Sequence, residues 1–301
     1  MRSFLGAFFG SFLGVLLTLG LLVMILVFAI KGLEKGFGGE DDETTEEIKK
    51  EGVLKLELSG ELVERVNKGD PFQNISVPYV NENKNVIGLN VLRKIFEKAA
   101  QNEKVKGVLL EIKGLRGGMA SFEEFRSILE DFKKKTEGKK WIWSYAEIYG
   151  QKEYYLASAC DRIFLHPQGG MMWQGLNATV LFYKELFNKL GIEVQIFRHG
   201  KFKSAVEPFM LDKMSNENRL QFESILNNLW NHITEQIGQS RKISPSDLNE
   251  MANQLMVKSP EDAQKLGLVD ELTYWDEVES NIRKQLGIKD EKEKIHFIKE
   301  S

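Results

Sequence analysis

With 301 residues, 42% hydrophobic and 28% charged, the chain carries enough apolar material for one or two packed domains, which argues against intrinsic disorder. A net charge of −3 without a basic stripe interleaved with aromatics argues against nucleic acid as a partner. The single cysteine, Cys160, allows no internal disulfide, and its apolar neighbours mark it as a buried, inert thiol.

After a short N-terminal flank (1–3), residues 4–30 contain no charged side chain. That run exceeds the roughly 20 residues a helix needs to cross a bilayer. It has no small-residue cleavage site of the Ala-x-Ala kind, so the expectation is an uncleaved, single-pass signal anchor. Arg2 before it and Lys31 and Lys35 after it leave the positive-inside count near a draw. Residues 31–52, rich in glycine and acidic side chains, read as a solvated tether.

From Val53 the pattern changes. Residues 53–60 alternate apolar and charged side chains with period two, predicting a half-buried strand. Residues 89–100 place Leu92, Ile95, Phe96 and Ala99 at helical spacing. Strand and helix patterns then alternate: strand 105–114, helix 122–135, strand 140–145, helix 151–159, strand 162–165, helix 182–190 and strand 193–197. This alternation predicts an α/β layer of mostly parallel strands, because parallel neighbours need crossover connections. The last third reads as helical, with a long pattern over 216–241. Ser244-Pro245 and Ser259-Pro260 each read as a cap followed by proline at the first helical position.

The most informative stretch is Phe197 to Phe209, with Lys201 and Lys203 beside Ser204, Ala205, Val206, Glu207 and Pro208. It resembles the lysine-bearing segment of the SppA family of Ser/Lys peptidases, signal peptide peptidase A or protease IV. Tyr154 to Gly169 resembles the helix, short strand and Pro-Gln-Gly turn of that family. The resemblance runs from about Gly52 to about Gly287. It implies a ClpP/crotonase-like spiral of parallel strands and helices over 53–288, preceded by the transmembrane helix, and a ring-like homo-oligomer. It implies no cofactor and no metal, apolar peptides as substrates, and a soluble domain on the periplasmic or extracytoplasmic side of the inner or cytoplasmic membrane. It also places Lys203 at the general-base position. In the long form of the family the base lysine lies in a first half and the nucleophilic serine in a second. This chain resembles the first half, so the charged stretch 289–301 is expected to lead toward a missing serine-bearing half.

A lysine acts as a base only when its neutral form is populated, so the pKa of such a group must fall from about 10.4 toward about 7 to 8. Phe202, Ala205 and Val206 supply apolar neighbours, and in an extended segment Lys201 would share the face of Lys203 and repel it. Glu207 would act the other way. Ser204 is a candidate for orienting the lysine.

A second constellation is Gly117-Gly118 with Ser121, between the 105–114 strand and the following helix. Glycines there leave backbone N–H groups open to a developing oxyanion. Ser121 is the alternative nucleophile of a self-contained dyad with Lys203. It also reads as a helix N-cap with Glu124 three residues on, a capping box. Arg116, where the serine-bearing half of the family has proline, departs from the family pattern. The four histidines have no metal-ligand spacing. Two function classes remain: a membrane-anchored serine endopeptidase, and a non-catalytic, membrane-tethered binding or assembly module of the same fold. A kinship with acyl-CoA enzymes is a third, weaker reading without a cofactor signature.

Overall fold

In the computed structural model the strand β3 (Val105–Gly117) forms the spine of a parallel sheet. It pairs with β1 (Gly52–Val63) on one side and β4 (Trp141–Tyr149) on the other. Beyond β4 lie β5 (Arg162–Met171) and β6 (Glu271–Leu272). Beyond β1 lie β2 (Val86–Gly88) and, near its start, β7 (Phe297–Ile298). The structure describes residues 50–66, 86–290 and 293–298, together with residues 21, 22 and 24.

Side chains alternate across each strand, so consecutive apolar residues feed two cores. Leu54, Leu56 and Leu58 of β1, Val108 and Leu110 of β3, and Ile142 and Ile163 face one side. There they pack on α1 (Leu89–Gln101) and α2 (Met119–Lys135) through Leu92, Phe96, Phe122, Phe125 and Phe132. Val53, Leu109, Trp143 and Phe164 face the other side, against Val278 and Ile282 of α9 (Trp275–Leu286).

After α3 (Gln151–Ala157) and β5, Trp173 is the last residue of this run held in the core, its indole N–H donating to the Leu248 carbonyl at 2.8 Å. The chain then passes through α4 (Lys184–Leu190), a 3₁₀ turn (Ser204–Val206) and α5 (Glu207–Met210). The Phe209 ring stacks on Tyr183 and Phe187 at centroid distances of 6.3 and 6.1 Å. Then come α6 (Asn216–Arg241), α7 (Pro245–Asn253) and α8 (Pro260–Lys265). Ser244 and Ser259 cap α7 and α8 as their sequences predict, accepting from Asp247 N–H and Asp262 N–H at 3.0 and 3.3 Å.

The strand expected at 193–197 is a correction. Those residues form no strand, and Phe197 is 94% exposed. The sheet position next to β5 is taken by β6, from more than seventy residues later, so the alternating segment finds no ladder to join.

Arg126 of α2 ties the helical layer together. It is 1% exposed and donates to Tyr155 O (2.6 Å), Ser158 Oγ (2.7 Å), Gln236 O (3.1 Å) and Ser240 Oγ (2.5 Å). One guanidinium thus joins α2, the end of α3 and α6, using the fork of donors that arginine alone offers.

The chain divides into two units: one of Met1–Glu47, Asn67–Asn81 and Ser301, the other of Ile48–Val66 and Glu82–Glu300. Residues 21, 22 and 24 apart, the described residues belong to the second. Apart from residues 21, 22 and 24, the expected anchor over 4–30 lies outside the described residues, as does nearly all of the 31–52 tether. Among the described residues no helix is long and apolar enough to cross a membrane.

Candidate active site

The lysine segment is built around a buried carboxylate. Glu207 is 0% exposed and accepts from Ser215 Oγ at 2.5 Å, Ser215 N at 3.2 Å and Asn218 Nδ2 at 3.0 Å, with Arg198 Nη1 at 3.6 Å. Burial alone would push this carboxyl up. The hydrogen bonds from Ser215 and Asn218 and the Arg198 charge outweigh it and hold the carboxyl below its ordinary value. The expectation that Glu207 would stand against Lys203 is therefore corrected: it turns inward, toward the start of α6. Because its folded pKa is depressed, its stabilisation is present above the unfolded carboxyl pKa and is lost as pH falls through the folded value. Hydrogen exchange across residues 200–221 is thus expected to rise below about pH 4, while amides around Ile237 stay protected; Glu207→Gln should show the fast exchange already at pH 7.

Gly200 turns the chain with φ +93°, and Lys203 sits at φ −87°, ψ 72°. The segment is a turn, not an extended strand, so Lys201 and Lys203 do not share a face by strand alternation. Lys203 is exposed, and its ammonium has no hydrogen bond or ion pair among the described residues. Phe202, expected to bury it, is itself 54% exposed. The Ser204 hydroxyl donates to Gln221 Oε1 at 3.1 Å, so it fastens the turn to α6.

The second constellation lies where β3 ends. Gly117 adopts φ +155°, and a side chain there would meet the Leu62 carbonyl at 3.1 Å. Gly118 is the N-cap of α2, with open space around its Cα. Ser121 is therefore the third residue of the helix, its N–H donating to Gly118 O at 3.1 Å. The capping-box reading is corrected: α2 begins earlier than its apolar pattern suggests, and Glu124 pairs with Arg93 at 2.9 Å instead of reaching back. The Ser121 hydroxyl makes no hydrogen bond among the described residues. Ser121→Ala is accordingly expected to change stability by less than about 0.5 kcal/mol, read by thermal or denaturant melting.

Two residues that the sequence left unremarked shape this turn. Glu153 is buried and accepts from Leu115 N at 2.6 Å and Gly150 N at 2.7 Å, fixing the ends of β3 and β4 beside each other. Its place three residues after the Gly150 N-cap is the capping-box position and was the signal that could have found it. Lys152 donates to the Gly117 carbonyl at 2.5 Å, with its ammonium 5.7 Å from the Phe122 ring centroid. No local pattern announces that contact. Nearby, Tyr155 and His232 both engage the Glu123 carboxylate, His232 at 3.0 Å. Cys160 is buried, and burial pushes its thiol up to about 12.

No hydrogen bond joins Lys203 to Ser121 or to the glycine turn among the described residues. The chain holds two candidate elements, a presented lysine and a glycine turn with a nearby serine, each built by its own scaffold.

The model of peptidase family S49 matches residues 133–289, which include the whole lysine segment. The chain belongs to peptidase family S49. The SppA resemblance carried by residues 197–209 agrees with this. This S49 chain is 30% identical over 245 residues to "Serine protease SPPA, chloroplastic" of Arabidopsis thaliana, a match covering 81% of this chain and 34% of that protein. It is 29% identical over 286 residues to "Protease 4" of Salmonella typhi (90% and 44%) and 29% over 238 residues to "Protease 4" of Haemophilus influenzae (74% and 37%). The chain spans less than half the length of each of these relatives.

Proposed function

We propose that this chain is the lysine-bearing part of a membrane-anchored serine endopeptidase that cleaves spent signal peptides and other apolar peptides. Residues 4–30 form its single membrane anchor, and the folded domain works on the extracytoplasmic side. Lys203 is the general base, and the attacking serine comes from a second, serine-bearing half that assembles against it; the working enzyme is a homo-oligomer.

The observation that carries the reading is the presentation of Lys203. A buried carboxylate and the Ser204–Gln221 bond hold its turn, while its own ammonium is exposed and unpaired among the described residues. A base lysine must be desolvated to lose its proton, and here the desolvating surface has to arrive from outside the segment. The exposed rings of Phe197 and Phe202 offer it an apolar place to dock. Relatives more than twice as long as the matched part are consistent with such a second half.

A second reading is favoured by the uncommitted Ser121 hydroxyl behind the Gly117–Gly118 turn. In it, Ser121 is the nucleophile, Lys203 its base and the turn its oxyanion donor, which requires Ser121 and Lys203 to approach within hydrogen-bond reach, about 2.6 to 3.2 Å.

The test is hydrolysis of an apolar fluorogenic peptide by the purified full chain in detergent, alone and with a serine-bearing S49 half. Activity only in the mixture, lost with Lys203→Ala, supports the proposal. Activity of the chain alone, lost with both Lys203→Ala and Ser121→Ala, replaces it with the self-contained dyad. Inactivity in both arms leaves the chain as a membrane-tethered binding or assembly module.

A further inference from the structure

One stretch of the chain has the pattern of a strand and no partner. Residues 192–197, Ile-Glu-Val-Gln-Ile-Phe, place β-branched apolar side chains at every second position, at Ile192, Val194 and Ile196. The Ile192 N–H closes the end of α4 on the Phe187 carbonyl at 2.9 Å, and from Glu193 to Phe197 no backbone N–H or carbonyl is hydrogen-bonded among the described residues. Ile192, Val194 and Phe197 are 48%, 39% and 94% exposed. Neither proline nor lysine interrupts the stretch and Glu193 is its one charge, so nothing in it discourages pairing with another chain. A matching gap lies in the sheet. β5 pairs with β4 through Gly170 and Met171, whereas β6 flanks β5 only at Phe164 and Leu165. Beyond Pro167, which has no N–H to offer, residues 168–171 therefore have a strand on one side alone among the described residues. Ile148 and Met172, each 55% exposed, flank this gap with apolar side chains. The other open stretch of sheet edge, on β1 between β7 and β2, carries the Lys55–Glu57 ion pair at 3.2 Å, and its Ser59 is already engaged.

We propose that residues 193–197 of one copy add as a strand beside residues 168–171 of β5 in the next copy. Addition to an existing sheet gains backbone hydrogen bonds along an edge that is already ordered, whereas an isolated two-stranded ribbon is marginal in water. The occupant is a second copy because this chain carries both sides of the contact, the free strand and the open edge, and joins them nowhere within itself. Two different surfaces meet, so the contact is head-to-tail: it repeats from copy to copy and closes into a ring where the rotation allows. The inference rests on the reading of the chain as a homo-oligomer and names the element that links its copies. Strand pairing consumes backbone groups, and the rings of Phe197 and Phe202 still project for the serine-bearing half.

The experiment uses the full chain in detergent under mild oxidation, with Gly170→Cys combined in turn with Glu193→Cys, Val194→Cys, Gln195→Cys, Ile196→Cys or Phe197→Cys. Gly170 has open space where a side chain would stand, and the native Cys160 is buried. Neighbouring strands lie about 4.8 Å apart and a disulfide needs Cα atoms within about 7 Å, so a paired strand can bridge to residue 170 only from positions on the same face. The expected result is a ladder of covalent oligomers, lost on reduction, from one position or from two positions two residues apart, with the positions between and beside them silent. Mixing the two corresponding single-cysteine chains should give a cross-linked dimer. Equal ladders from all five variants overturn the inference, because a loose arm and not a strand then makes the contact. A cross-link within one chain, seen as a faster-migrating monomer, overturns it by returning the segment to its own β5. A ladder that disappears when the serine-bearing half is added overturns it as well, since that half then takes the strand. With no cross-link in any variant, sedimentation divides what is left: an oligomer refutes the strand contact and leaves the homo-oligomer reading standing, whereas a monomer removes both.

Discussion

Lys203→Ala in the assembled peptidase is expected to lower kcat by about 10²- to 10⁴-fold, the range typical for loss of a positioned general base. Its melting temperature should stay within about a degree of the native value. The side chain is exposed and its ammonium touches no partner among the described residues, so its removal breaks nothing that holds the fold. Lys203→Arg should be as inactive as the alanine form, because a guanidinium keeps the charge but does not give up its proton near neutral pH. Measured kcat and KM for the three forms, with thermal melts alongside, decide the matter. An arginine form with native kcat would show that the residue supplies charge and not base catalysis. A loss confined to KM would make it a substrate-binding group.

The largest stability effect is expected at Arg126. Arg126→Ala removes a cation that is 1% exposed and takes a donor from the carbonyls of Tyr155 and Gln236 and the hydroxyls of Ser158 and Ser240, the Tyr155 carbonyl keeping the Ser158 hydroxyl at 2.8 Å. Losing one side of such a buried network costs about 3 to 5 kcal/mol. For a domain of this size that lowers Tm by roughly 6 to 20 °C. Arg126→Lys should recover little, since a single ammonium cannot reach α3 and α6 at once. Denaturant unfolding of the three forms reads the difference directly. A change in Tm below about 3 °C would mean that water satisfies the stranded oxygens, and the staple would then be geometry without energetic consequence.

The two effects separate cleanly because the molecule separates them. Arg126 spends its donors on the body of the domain. Lys203 stands on a segment whose rigidity is supplied by another residue, Glu207, so the side chain proposed as the base can be removed without loosening its mount. The acid sensitivity expected of Glu207 would therefore reach Lys203 through its position and not through its charge.

Much of this was legible along the chain. The long pattern over 216–241 became α6 with those bounds, and Ser244-Pro245 and Ser259-Pro260 became capped helix starts, because a cap is a contact between residues three apart. The continuous apolar run of β3 was visible as a strand because a parallel strand is buried on both faces. Helix α9 is legible too, within the helical last third: Trp275, Val278, Ile282 and Leu286 recur at three- and four-residue spacing and pack together on the second core. The strands β6 and β7, two residues each, carry no periodicity to detect. At the candidate site, Lys203 and Glu207 were visible in their thirteen-residue segment, but the direction each side chain takes was not. Ser121 was misread as a cap because the helix start was placed by its apolar residues, whereas Gly118 begins it.

By itself, then, the sequence determined the parallel α/β class, the starts of α6, α7 and α8 and the lysine segment that places the chain in its family, all of them consequences of short-range spacing and local chemistry. Only the tertiary structure decided that β6 and not 193–197 lies beside β5, that Glu207 is buried while Lys203 is presented, and that Lys152 holds Gly117. The reason is the same in each case. Strand slots and hydrogen-bond partners go to whichever group the fold brings nearest, and here those groups lie from about ten to more than a hundred residues away, beyond the reach of any local pattern.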